Sequence, residues 1–132
     1  MTNGQPIQFI ADTSAVIQLC RGDEDVARHV RGKHFAITFV TMAELSVGVL
    51  KSSKPDATWA RIKEILRGQK VRFSSPVTPN IYARLYVDLE KNGMRIPVND
   101  IWIAALAVET GLPVLARDEH FSRIKSLTVI NC

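Results

Sequence analysis

The chain alternates between short apolar runs and longer stretches whose apolar positions repeat with a helical period. Phe9-Ile10-Ala11 is apolar throughout and stops at Asp12, which predicts a buried strand ending on a carboxylate. From Ser14 to Cys20, the positions Val16, Ile17, Leu19 and Cys20 follow helical spacing, and Gly22 closes the element. Asp23 opens a second short helix through Val26, Ala27 and Val30 to Gly32. Its acids lie at the start and Arg28 and Arg31 near the end, as the helix dipole favours. Phe35 to Val40 alternates aromatic or β-branched residues with smaller ones and predicts a second strand. A helix follows from Thr41 through Leu45, Val49 and Leu50. Pro55-Asp56 restarts the chain into a helix with Trp59, Ile62, Ile65 and Leu66 on one face and Gly68 at its end.

Val71-Arg72-Phe73 is a short strand candidate. Thr78-Pro79 predicts a helix start, with Thr as the cap and Pro in the first turn. That helix carries Ile81, Tyr82, Leu85 and Leu89 and ends near Asn92-Gly93. Pro97-Val98-Asn99-Asp100 starts the next, whose Ile101, Ala104, Ala105 and Val108 form a small-residue stripe up to Gly111. Pro113 to Ala116 predicts a buried strand followed by Asp118, and Leu127 to Ile130 predicts a last strand. Alternating strands and helices predict an α/β fold: a three-layer α/β/α sandwich around a central, mostly parallel sheet of about 4–5 strands. Without an internal repeat, low-complexity segment or linker, residues 1–132 read as a single domain.

Composition narrows the class. A hydrophobic share of 46% and a charged share of 23% are those of an ordinary globular domain. No apolar run approaches the roughly 18 residues of a membrane span. Met1 to Pro6 lack the basic start and apolar core of a signal peptide. The two cysteines, Cys20 and Cys132, are too few for a disulfide framework, and a reducing cytoplasm is the expected location. The net charge of +4 is unevenly spread: Lys51, Lys54, Arg61, Lys63, Arg67, Lys70 and Arg72 fall in one stretch against Asp56 and Glu64. Such a run suits phosphates, or is simply the solvated face of a helix.

In a parallel sheet with crossover helices, strand C-termini and helix N-termini share one side, because each helix runs back against the strands. Four acids map to that edge. Asp12 ends the first strand, Glu44 lies in the first turn of the helix after the second, Asp100 lies in the first turn of its helix, and Asp118 follows the fourth main strand. Asp88, Glu90 and Glu109 fall in mid-helix or late in helices. Structural roles are open to each of the four: Thr41-Met42-Ala43-Glu44 has capping-box spacing. Asp100 suits a helix N-terminus beside an Asn99 cap, and Asp118 suits a turn before His120-Phe121. Asp12 differs, since a carboxylate closing an apolar strand is costly to bury without a partner.

Convergent carboxylates repel one another and take up protons unless cations compensate. A hard divalent ion with oxygen ligands, Mg²⁺ or Mn²⁺, supplies that compensation, while His29 and His34 are poorly placed to join. The chemistry that fits is phosphodiester hydrolysis, in which a metal acidifies the attacking water and stabilises the leaving oxygen. Thr13 and Ser14 are candidates for orienting that water or an acidic ligand, with Ser14 equally an ordinary helix N-terminal hydroxyl.

Four blocks then stand in order over nearly the whole chain: Asp12-Thr13-Ser14; Glu44 after a strand; Asn99-Asp100-Ile101-Trp102-Ile103-Ala104-Ala105; and Arg117-Asp118-Glu119-His120-Phe121. Together they resemble the PIN domain of prokaryotic nucleases, and more narrowly the VapC-type toxins of type II toxin–antitoxin modules. The resemblance implies a Mg²⁺- or Mn²⁺-dependent endoribonuclease acting on RNA. Asp12, Glu44, Asp100 and Asp118 would be its catalytic, metal-holding acids and Ser14 the hydroxyl after the first acid. It also implies a homodimer and a cognate antitoxin whose C-terminal segment covers the active-site groove. One departure is Ala116, where the family's strand often ends in threonine, so a polar contact near Asp118 is missing or supplied by another residue. On this reading, the surface around Trp59, Lys63 and Arg67 serves RNA, antitoxin or a second subunit, and Arg117 is a candidate phosphate contact. Two alternatives stand beside it: a PIN nuclease of RNA processing without an antitoxin, and a non-catalytic nucleic-acid-binding scaffold whose acids are caps. An aspartyl phosphatase would want an acid two residues after the first, where Ser14 stands.

Overall fold

Five parallel strands carry the architecture in this computed structural model, which describes residues 5–132. Residues 1–4 of the Met1–Pro6 stretch therefore lie outside the described residues. The strands are β1 (Ile10–Ala11), β2 (Ala36–Thr38), β3 (Lys70–Arg72), β4 (Val114–Ala116) and β5 (Val129–Asn131), in the order β3-β2-β1-β4-β5. Helices α1 (Thr13–Cys20) and α2 (Glu24–Val30) follow β1, and α3 (Phe39–Lys51) and α4 (Pro55–Ile65) follow β2. Helices α5 (Thr78–Lys91) and α6 (Val98–Thr110) lead from β3 to β4, and a 3-10 turn (His120–Arg123) precedes β5. The chain winds outward from β1 to β3, then returns to the other side of β1 as β4. The switch point of the sheet thus lies between β1 and β4, where Ile10 pairs with Val114 and Ala11 with Leu115.

The strand pleat sorts the core into two halves. Ile10, Ala36, Val114 and Ala116 face α5 and α6 with Leu85, Leu89, Ile101 and Ala105. Phe9, Ala11, Ile37 and Leu115 face α1, α2 and α4 with Val16, Val26 and Ile62. Covering both faces explains why the central strands β1 and β4 are unbroken apolar runs instead of alternating ones. Helix α3 contributes to both halves, Val40 to the first and Leu45 to the second. The exposed edge strand β3 carries Lys70 and Arg72, which discourage pairing with another strand.

Three local expectations need correction. The second strand is shorter than predicted: Thr38, not Thr41, is the N-cap of α3, its hydroxyl accepting the Thr41 N–H at 3.2 Å. Phe39 and Val40 are helical, since an apolar pair buries equally well on a helix face. Thr41 is then a buried helix-interior residue, and Glu44 lies one turn deeper than predicted, so the two form no capping box. Asn99 is likewise inside α6 and leaves the capping position to Pro97. Thr78 is the first residue of α5, not its cap, and its hydroxyl accepts the Ser75 N–H at 2.9 Å and donates to Glu109.

Candidate active site

Asp12 leaves β1 with an extended backbone and caps α1. One carboxylate oxygen, Oδ2, accepts both the Ser14 N–H at 3.2 Å and the Ser14 hydroxyl at 2.6 Å. The residue is only 2% exposed, and among the described residues no basic side chain pairs with it. Burial raises its pKa from the ordinary 3.8 to about 6; the Ser14 hydroxyl opposes the rise, and the charges of Asp100 and Asp118 add to it. Ser14 is more than a helix-start hydroxyl. It also accepts the backbone N–H of Arg117 at 3.3 Å, which ties the end of β1 to the chain leaving β4.

Asp100 projects from the first turn of α6, as predicted. Burial raises its pKa, a contact with the His120 imidazole opposes the rise, and the charges of Asp118 and Glu44 reinforce it. His120 Nδ1 lies 2.9 Å from Asp100 Oδ2 and 3.6 Å from Asp118 Oδ1. Asp118 also accepts the backbone N–H of His120 at 2.9 Å, so the expected turn forms. Ala116 itself is wholly buried and brings no polar side chain to Asp118. One donor atom each from Asp100, Asp118 and His120 lies within 4.8 Å of the others.

Glu44 sits beside this group. Its Oε1 accepts the Thr13 hydroxyl at 2.6 Å and its Oε2 the Asn99 amide at 3.4 Å. A hydroxyl has one proton, so Thr41, 2.9 Å from Thr13, must donate to it, and the buried threonine completes a relay that holds Glu44. The structure thus brings Asp100 and Asp118 together; Asp12 stands outside that three-donor group but feels the charges of both, and Glu44 sits at the Asp100 side, also outside it. It adds His120, which the sequence reading passed over. The available signal was its position two residues after Asp118 in a short turn.

Arg117 does not reach toward the acids. Its guanidinium makes a bidentate pair with Asp23 at 2.7 and 2.9 Å, and its Nε donates to the Cys132 carbonyl at 3.0 Å. In the basic stretch, Arg61 is engaged by the Leu19 and Cys20 carbonyls and Glu64. Trp59, Ile62, Ile65 and Leu66 turn into the core, and Lys63, Arg67 and Lys70 stay exposed. The group therefore has carboxylate oxygens in excess, one imidazole, and no Lys or Arg paired to Asp12, Glu44, Asp100 or Asp118 among the described residues. A hard divalent cation fits that donor set and would remove the cost of enclosing Asp12.

The PIN domain family matches residues 9–127. The chain belongs to this family. Among curated relatives, Ribonuclease VapC4 of Mycobacterium tuberculosis is 32% identical over 127 residues, spanning 92% of this chain and 94% of the relative. Ribonuclease VapC5 of the same organism is 35% identical over 121 residues, spanning 90% and 89%. The crystal structure of VapBC-5 from Mycobacterium tuberculosis, a member of the VapBC family of toxin-antitoxin systems, is similar at TM-score 0.78 and 31% identity, covering 96% of this chain and all of that one (100%). VapBC2 from Rickettsia felis, solved bound to a DNA fragment from its promoter, shares the fold at TM-score 0.88 and 22% identity, covering 95% and 98%.

In this PIN domain the acids gather outside the C-terminal ends of β1 and β4, at the switch point where open α/β sheets bind ligands. From Glu44 a groove runs between α1, α3 and α4, lined by Ile17, Arg21, Gly48, Lys54 and Arg61. No helix among the described residues is long and apolar enough to cross a membrane.

Proposed function

We propose that this PIN domain, acting as one nuclease domain over residues 1–132, is a cytoplasmic endoribonuclease that hydrolyses RNA phosphodiester bonds with bound Mg²⁺ or Mn²⁺. On this reading it is the toxin of a toxin–antitoxin pair. The observation that carries the proposal is the enclosure of Asp12, partnered among the described residues only by Ser14, within the field of the Asp100 and Asp118 carboxylates at the switch point. The names of its ribonuclease relatives and the toxin-antitoxin membership of VapBC-5 supply the reaction class and biological setting.

Asp12, Asp100 and Asp118 would hold the ion, with Glu44 at its side. When bound, the ion supplies a more acidic water and a positive charge opposite the leaving oxygen. The protein's own groups do the rest. Ser14 keeps the Asp12 carboxylate in one orientation and couples it to the backbone beside Asp118. Thr13 and Thr41 hold Glu44 Oε1, leaving Oε2, restrained only by the longer Asn99 contact, as acceptor for a proton of the attacking water. The groove beginning at Glu44 pairs apolar Ile17 with basic Arg21 and Lys54, and suits an extended antitoxin segment with acidic and apolar side chains. The toxin itself would act as a homodimer.

Purified protein should cut single-stranded RNA with Mn²⁺ and fail with EDTA. Asp12→Asn and Asp100→Asn should fold, by circular dichroism, yet lose at least about 100-fold in cleavage rate. An Asp100→Asn protein that cuts at the wild-type rate would sink the assignment. In cells, inducing the wild type should create new RNA 5′ ends that an Asp12→Ala control does not. Cleavage without growth arrest would point to the RNA-processing alternative, and folded protein without cleavage to the scaffold.

A further inference from the structure

His120 lies against the acids and is so far unassigned. Its segment is fixed from two sides. The backbone N–H bonds to Asp118, and the neighbouring Phe121 is wholly buried, anchoring the 3-10 turn in the core beside α6. Ring and carboxylate therefore belong to one short, held segment. Adjacent vertices of an octahedral shell with ligands at about 2.1 Å lie about 3.0 Å apart. His120 Nδ1 stands 2.9 Å from Asp100 Oδ2 and 3.6 Å from Asp118 Oδ1, near that spacing from both. One small ion can accordingly touch all three atoms with modest side-chain adjustment.

Building on the divalent-metal reading above, we infer that His120 is a nitrogen ligand of the ion held by Asp100 and Asp118, and that it sets a preference for Mn²⁺ over Mg²⁺. A site built only of oxygens discriminates little between these two hard ions. An imidazole nitrogen adds affinity for a first-row transition ion and little for Mg²⁺, which prefers oxygen and keeps its waters. The same segment that supplies Asp118 thus also supplies the group that selects the metal.

The test uses the full chain loaded with Mn²⁺ and read by pulsed electron paramagnetic resonance, alongside titration calorimetry with MnCl₂ and MgCl₂. Wild type should show electron spin-echo modulation from a directly bound ¹⁴N, and His120→Gln should lose it. Mn²⁺ binding should weaken about tenfold in the variant and Mg²⁺ binding by no more than about twofold. If wild type binds Mn²⁺ without ¹⁴N modulation, the imidazole only orients Asp100 and the inference falls while the metal site stands. Equal losses for both ions would overturn it too. Wild type that binds no Mn²⁺ would overturn the proposed function and this inference together. The wild-type spectrum decides even if His120→Gln fails to fold.

Discussion

Asp12 concentrates the electrostatic cost of the site in one residue. With its pKa at about 6 instead of 3.8, the native state keeps a proton that the unfolded chain releases between those values. A raised carboxyl pKa makes stability fall as pH rises through that window, with a penalty from Asp12 of about 3 kcal/mol above it. Asp12→Asn retains the capping oxygen but not the charge. In EDTA at pH 7.5, the variant should melt at a higher temperature than wild type, and the gap should close by pH 4. A variant that melts at or below wild type at pH 7.5 would refute this account. Thr13 makes a different demand. Thr13→Val keeps the shape but removes the hydrogen bond to Glu44 Oε1. Cleavage should slow by about tenfold or more while the Mn²⁺ dissociation constant barely moves, because Thr13 orients a proton acceptor and not the ion.

Among the elements, the junction of β2 and α3 was least legible in the sequence. Phe39-Val40 satisfies a strand pattern and a buried helix face equally, and Thr38 and Thr41 both qualify as caps. The structure favours Thr38, wholly buried, with its hydroxyl on the Thr41 N–H. Thr38→Ala should therefore cost about 1 kcal/mol in urea unfolding, a typical loss for an N-cap. Thr41→Ala should show its effect in catalysis as well as stability, since Thr41 feeds the Thr13–Glu44 relay. By contrast, Asp12 at a strand end and Asp100 in a first helical turn were legible. Each depends on a boundary marked by its own neighbours, an apolar strand before one and Pro97 before the other.

Across the molecule, the site joins the two halves of the sheet. Asp12 comes from the half that winds outward through β2, and Asp118 from the half that returns through β4. An ion bound across them would tie both halves in the native state and stabilise it by mass action, about 2.7 kcal/mol at a concentration 100 times its dissociation constant. Mn²⁺ should raise the melting temperature of wild type but leave that of Asp100→Asn nearly unchanged. A similar rise in both would place the ion elsewhere. The Arg117–Asp23 pair works on the same scale, joining the segment beside Asp118 to the start of α2.

The sequence by itself determined the order of elements, the α/β class, and the places of Asp12 at a strand end and Asp100 in a first helical turn. Those follow from local periods and chain polarity. Tertiary structure decided which strands became neighbours, and with them which acids met. It also paired Arg117 with Asp23, 94 residues distant in the chain, and set His120 on Asp100, 20 residues away. Such contacts depend on how helices pack across the switch point, and no local sequence period links the two partners.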